Sequence, residues 1–185
     1  MAKKELSFEQ LMEIYNHIGQ EERHFNSLEL EYRKLASQWL LVSLSAIGIV
    51  LSQEESFPID RWVLVIAICF AASIGIFILW MLDLKVYHEL LHAAFREGVL
   101  LEREYPEILP QIRNNMVKSQ EGGDIILRVI LFYFFSILLL IVIANISIWM
   151  MTPLHYYHSV GMGILSVIVL VAMYIIMTRK SEREL

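Results

Sequence analysis

The chain has 185 residues, 57% of them apolar and only 19% charged, with a formal net charge of −5 at pH 7. A soluble domain carries about 45–50% apolar and roughly 25% charged residues, so the excess must face something other than water, and an ordinary soluble globule is excluded. Acids outnumber bases, 20 to 15, which gives no support to a nucleic-acid partner, since phosphate binding needs a basic surface.

Lys3 and Lys4 open the chain, but a polar stretch follows where a secretory signal needs an apolar core, so no cleavable signal peptide is expected. Ser7 and Gln10 have the spacing of a capping box. Phe8, Leu11, Tyr15 and Ile18 then recur at helical intervals. Gly19-Gln20 is expected to break or kink the helix, after which Phe25, Leu28, Tyr32 and Leu35 resume an apolar stripe. Residues 1–34 therefore read as an amphipathic helical segment.

Three stretches contain no Asp, Glu, Lys or Arg: Leu35 to Gln53, Trp62 to Leu82, and Val129 to Thr178. Crossing a bilayer core of about 30 Å takes roughly 20 apolar residues. The last stretch is long enough for two passes and is interrupted by Thr152-Pro153-Leu154-His155, which reads as a tight turn. Four spans are expected, at 35–52, 61–82, 127–151 and 156–178. The fold class is then an all-α polytopic membrane protein with four transmembrane helices and helical cytoplasmic extensions.

The second span is expected to continue beyond the membrane. Leu84, Tyr87, Leu91, Ala94, Gly98, Leu101 and Tyr105 alternate three and four apart, which is a heptad seam. A helix from 61 to 104 would be roughly 65 Å long. Pro106 and Pro110 end it, and Gly122-Gly123 followed by Asp124 reads as a stop and then the cap of the next helix. Residues 83–124 form a cytoplasmic extension and loop, 125–178 a transmembrane hairpin, and 179–185 a tail.

Lys and Arg accumulate on the cytoplasmic side of membrane proteins. Fourteen of the fifteen basic residues fall in the N-terminal segment, the 83–128 region and the tail, and only Arg61 falls in an outer loop. Both termini are thus expected in the cytoplasm, with the chain in a plasma or bacterial inner membrane. Trp39 and Trp80 would mark the inner interface, and Trp62 and Trp149 the outer one.

The sharpest chemical motif is His88-Glu89-Leu90-Leu91-His92, which resembles the zincin metallopeptidase signature. Residues i and i+4 of a helix share a face, so His88 and His92 can hold one zinc while Glu89 activates water. Only generic acids, Glu97, Glu102 and Glu104, follow as a third ligand, and the plainer reading makes the pair two histidines beside the heptad seam. Glu21-x-x-His24 with Glu89-x-x-His92 has the spacing of half a di-iron site. On the outer side, His155 and His158 accompany Glu54, Glu55 and Asp60 and can sense pH or bind a cation.

Inside the spans no charge lies at mid-depth, and the strongly polar Asn145 stands among scattered serines, which argues against a coupled transporter with a charged midplane site. Ala67, Ala71 and Gly75, with Ser159 and Gly163 on the last span, are the small residues expected at helix-packing contacts. Cys69 is the only cysteine, so no intrachain disulfide can form. Four uncharged spans enclose little volume, so a homo-oligomer in the lipid bilayer is expected. Its expected role is a pore-forming or membrane-perturbing component gated through the cytoplasmic helices. The alternatives are a scaffold or accessory subunit that recruits a cytoplasmic protein partner, and a membrane zinc peptidase. No cofactor other than that zinc is implied.

Overall fold

A computed structural model describes residues 6–53, 59–119 and 124–151, together with 171 and 175. Among the described residues the structure is entirely helical: α1 (Phe8–Ser52), α2 (Arg61–Met81), a π-helical turn (Leu82–Tyr87), α3 (His88–Glu104), α4 (Ile112–Ser119) and α5 (Asp124–Met151). Three helices, Phe8–Ser52, Arg61–Glu104 and Ile126–Met151, are long and apolar enough to cross a membrane. Apart from residues 171 and 175, which are helical, the fourth expected span lies outside the described residues, as do the turn at Thr152–His155, Ser159 and Gly163.

The start of α1 follows from its capping box. The Ser7 hydroxyl accepts from the Gln10 amide at 3.2 Å, and the Gln10 side chain accepts in return from the Ser7 amide at 3.1 Å. From there α1 runs unbroken through Gly19 and Gln20, so the break expected there does not occur. A lone helical glycine costs only about 1 kcal/mol relative to alanine. A Cβ at Gly19 would meet Arg113 Nη2 at 3.6 Å, an ordinary van der Waals contact, so the packing there does not require glycine.

The helix from Arg61 to Glu104 is also continuous, as the sequence predicts, but it contains a feature that apolar spacing does not reveal. Over Leu82–Tyr87 the hydrogen bonding shifts to the wider π pattern, with the His88 amide donating to the Asp83 carbonyl. Tyr105 leaves the helix at φ −125° and ψ 60°, and Pro106 follows. Its carbonyl takes the amides of Ile108 and Leu109, which turns the chain into α4.

The chain divides into two compact units, one within Met1–Arg33 and Met81–Gly123, the other within Lys34–Trp80 and Asp124–Leu185. In the first, the early part of α1 pairs with α3. Tyr15 meets Glu102, Glu29 meets His88 and Tyr32 meets Tyr87, so the two helices run antiparallel. The buried face of α1 is Leu11, Tyr15, Ile18, Glu22, Phe25, Glu29 and Tyr32, alternating four and three apart. Phe8 and Leu35, expected on that stripe, are exposed. Two glutamates take the seam positions that a search for apolar residues passes over. On α3 the expected seam is buried or half-buried throughout, from Leu84 to Tyr105.

Among the described residues of the second unit, the inner and outer helix faces are both apolar. Its inner faces keep near-heptad spacing: Val65, Cys69, Ala72 and Ile76 on α2, and Ile130, Tyr133, Ile137 and Leu140 on α5. Outward positions are apolar as well, among them Leu41, Val42, Phe70, Ile74, Phe135 and Ile146. A helix in water keeps a polar outer face, and one apolar all round is buried in protein or in lipid. Trp80 is buried beside Phe77, at 5.3 Å between ring centroids, rather than presented at an interface, whereas Trp149 is exposed.

Candidate functional site

The first unit holds its two helices together with charge, in two clusters. The proximal one is built on Asp83, which is fully buried inside the π-turn. Arg33 grips it with both arms of its guanidinium, Nε to Oδ2 at 2.9 Å and Nη2 to Oδ1 at 3.2 Å. The same Nη2 donates to Glu29 Oε2 at 2.7 Å, one helical turn back on α1. Glu29 Oε1 lies 3.0 Å from Nδ1 of His88. Beside them the Tyr32 and Tyr87 rings stack at 5.0 Å, with their hydroxyls 3.4 Å apart.

Two carboxylates, one guanidinium and one imidazole balance only when the imidazole is protonated. The structure favours that state: the hydrogen bond to Glu29 raises the His88 pKa above the usual histidine value, although burial pulls the other way. Burial also opposes the charge on Arg33, and the bonds to Asp83 and Glu29 outweigh it. The Tyr32 phenol is pushed up, chiefly by its bond to Tyr87.

The distal cluster is built on Glu102, also fully buried. Its Oε1 accepts from the backbone amide and Nη1 of Arg113, at 3.1 and 3.2 Å. Its Oε2 accepts from the backbone amide and side chain of Asn114, at 3.0 and 3.2 Å. The carboxylate therefore seats on the free amides that open α4, where the helix dipole favours negative charge. Arg113 also forks onto Glu22, Nε to Oε1 at 2.6 Å and Nη2 to Oε2 at 3.1 Å, and lies 4.8 Å over the Tyr15 ring. Its side chain packs flat against Gly98, and a Cβ there would run into the guanidinium. Burial raises the Tyr15 pKa, with the Arg113 charge acting against it.

The motif that resembles a zincin is placed in this frame. His88 and His92 lie one turn apart on α3, as the spacing predicts. His88 is turned inward onto Glu29, while Glu89 and His92 are exposed. Glu21 sits near His17, at 4.0 Å, and His24 lies tilted on Phe25. Among the described residues, no three His, Cys, Asp or Glu side chains gather in a way that would hold a metal ion.

In the second unit, Asn145 donates to the Ile141 carbonyl at 2.8 Å, one turn back in its own helix. Ser43, Ser73, Ser136 and Ser147 do the same, at 2.7 to 2.9 Å. In lipid such bonds keep hydroxyls satisfied without a partner helix. Of the small residues, Gly75 opens space for Trp39, whose Nε1 would lie 2.5 Å from an added Cβ, while Ala67 and Ala71 are exposed. His155, His158, Glu54 and Glu55 lie outside the described residues.

Sequence reasoning missed the clusters for an identifiable reason. Glu22 and Glu29 continue the spacing of the α1 seam, and that signal was available. Arg113 and Asn114 follow two prolines with no periodicity to place them. Comparison of the chain with protein-family models, with curated proteins and with solved structures finds no match.

Proposed function

We propose that the chain is an integral membrane protein whose charge-locked helical hairpin, α1 with α3 and α4, lies in the cytoplasm and controls the membrane-embedded unit. In this reading it acts as a homo-oligomeric pore-forming or membrane-perturbing component, gated through that hairpin. One observation carries the proposal: the two helices of the hairpin pass without interruption into the apolar unit, as Phe8–Ser52 and Arg61–Glu104. In this reading a displacement of the charged end is carried into the apolar unit along these two continuous helices. The distribution of basic residues supports the orientation. The test is dye release from liposomes holding the purified protein at high density. Release that depends on the protein supports a pore, and tight vesicles overturn it.

A second reading has its own observation. Ile108, Ile112, Met116 and Val117 are exposed together around α4. Apolar residues grouped at a surface suit a docking partner, which favours a scaffold that recruits a cytoplasmic protein. A partner that co-purifies in stoichiometric amount, and is lost on Met116→Asp, would select this reading over the pore.

A further inference from the structure

The π-turn Leu82–Tyr87 is held at both ends by neighbouring residues of α1. Arg33 clamps Asp83 near its start, and Tyr32 stacks on Tyr87 at its end. A π-turn takes up one residue more than an α-turn, so every residue after it arrives one position late. Each position in an α-helix is about 100° of rotation. If the turn became α-helical, each inward residue of α3 would give way to the residue before it.

That preceding set forms a second apolar stripe. Tyr87, Leu91, Ala94 and Leu101 are half-buried on the seam, while Val86, Leu90, Ala93 and Leu100, each one residue earlier, are exposed. An outer face made only for solvent has no need of apolar residues in the register of the inner one. The exceptions are Glu104, which precedes Tyr105 at the helix end, and Glu97, which precedes Gly98; rotation would bring the Glu97 carboxylate to the side where Arg113 packs. The helix thus carries two seams offset by one residue, downstream of a device that shifts register by one residue.

We propose that the π-turn is a register switch. With the Arg33–Asp83 clamp closed, α3 presents Tyr87, Leu91, Ala94 and Leu101 to α1. With it open, the turn becomes α-helical and Val86, Leu90, Ala93 and Leu100 take their places. This deepens the reading above by naming how the hairpin is regulated. The test reads helix register alone, so a failed leak assay leaves it standing.

The test uses the full chain in liposomes, with Cys69→Ser removing the native thiol and one cysteine placed at Leu90→Cys or Leu91→Cys. Labelling by a maleimide is fast at 90 and slow at 91 while the clamp is closed. Asp83→Asn should reverse the preference, with labelling at 91 rising about tenfold and labelling at 90 falling, the shift implied by losing one charge-assisted hydrogen bond. Arg33→Lys keeps the charge but loses the fork, and should move both rates the same way by less; it carries the test if Asp83→Asn does not fold. Equal acceleration at both positions would mean that the hairpin merely opens, and unchanged rates would mean that the clamp controls nothing. Either result overturns the switch.

Discussion

Replacing Glu102 by glutamine tests whether buried charge, rather than apolar packing, fastens α4 to the hairpin. The change is nearly isosteric, so it leaves no cavity. Glu102 Oε1 accepts from the amide and guanidinium of Arg113 and from the Tyr15 hydroxyl, and Oε2 accepts from the amide and side chain of Asn114. A carboxamide has only one acceptor oxygen, and whichever way it turns, its NH2 faces two donors at about 3 Å. Arg113 also loses one of its two anionic partners in a site where its side chain is only 7% exposed. Breaking a buried pair from one side costs about 3–5 kcal/mol. That loss falls on the attachment of α4, so the amides of residues 112–118 should exchange with solvent roughly a hundred- to thousandfold faster in detergent micelles. The amides around Asp83 and Arg33 should keep their protection, because that cluster lies roughly 20 Å or more along α3. Unchanged exchange in α4, or a loss spread evenly over the hairpin, would refute the reasoning.

Gly98→Ala should produce a milder form of the same defect, about 1–3 kcal/mol as in other overpacked sites, because the new methyl displaces the Arg113 guanidinium from its seat; exchange of the α4 amides again reports it. The His88 pair makes stability depend on pH in a definite direction. Folding raises the His88 pKa through the bond to Glu29, with Arg33 opposing and Asp83 assisting, so the protonated form is the stabilising one. Its contribution is fully present below the unfolded value of about 6.5 and is lost as pH rises through the higher folded value. Exchange at residues 86–90 should therefore rise with pH beyond the intrinsic base-catalysed rate, and His88→Gln should remove that excess. In the apolar unit, Gly75→Ala should turn the Trp39 indole away from α2 and shift its fluorescence, with little loss of helix content, since Trp39 is exposed enough to move.

Much of the fold was legible because it depends on composition and period. The uncharged runs place the apolar helices, the Ser7–Gln10 box starts α1, and Pro106 ends α3 where the seam stops. The Gly19 break failed because one helical glycine costs only about 1 kcal/mol relative to alanine, too little to end a helix of 45 residues. The π-turn has no mark in sequence, since the apolar spacing around it fits an α-helix within the tolerance of a half-turn. Its contacts with Tyr32 and Arg33 are tertiary and leave no trace in local spacing. The site was hidden by its own chemistry. A seam glutamate reads as a solvent residue until its counter-charge is placed, and Arg113 reaches Glu22 across 91 residues of sequence. The HExxH spacing, by contrast, was plain to see, and His88 spends one of its nitrogens on Glu29.

The division into an apolar unit in lipid and a charged hairpin in the cytoplasm is tested most directly by the sidedness of one residue on α3. Glu104→Cys in a Cys69→Ser chain, probed with a membrane-impermeant maleimide, should label in inside-out vesicles and stay unlabelled in right-side-out vesicles until they are permeabilised. Labelling from the outer face of intact vesicles, or release of the chain from the membrane by alkaline washing, would contradict it.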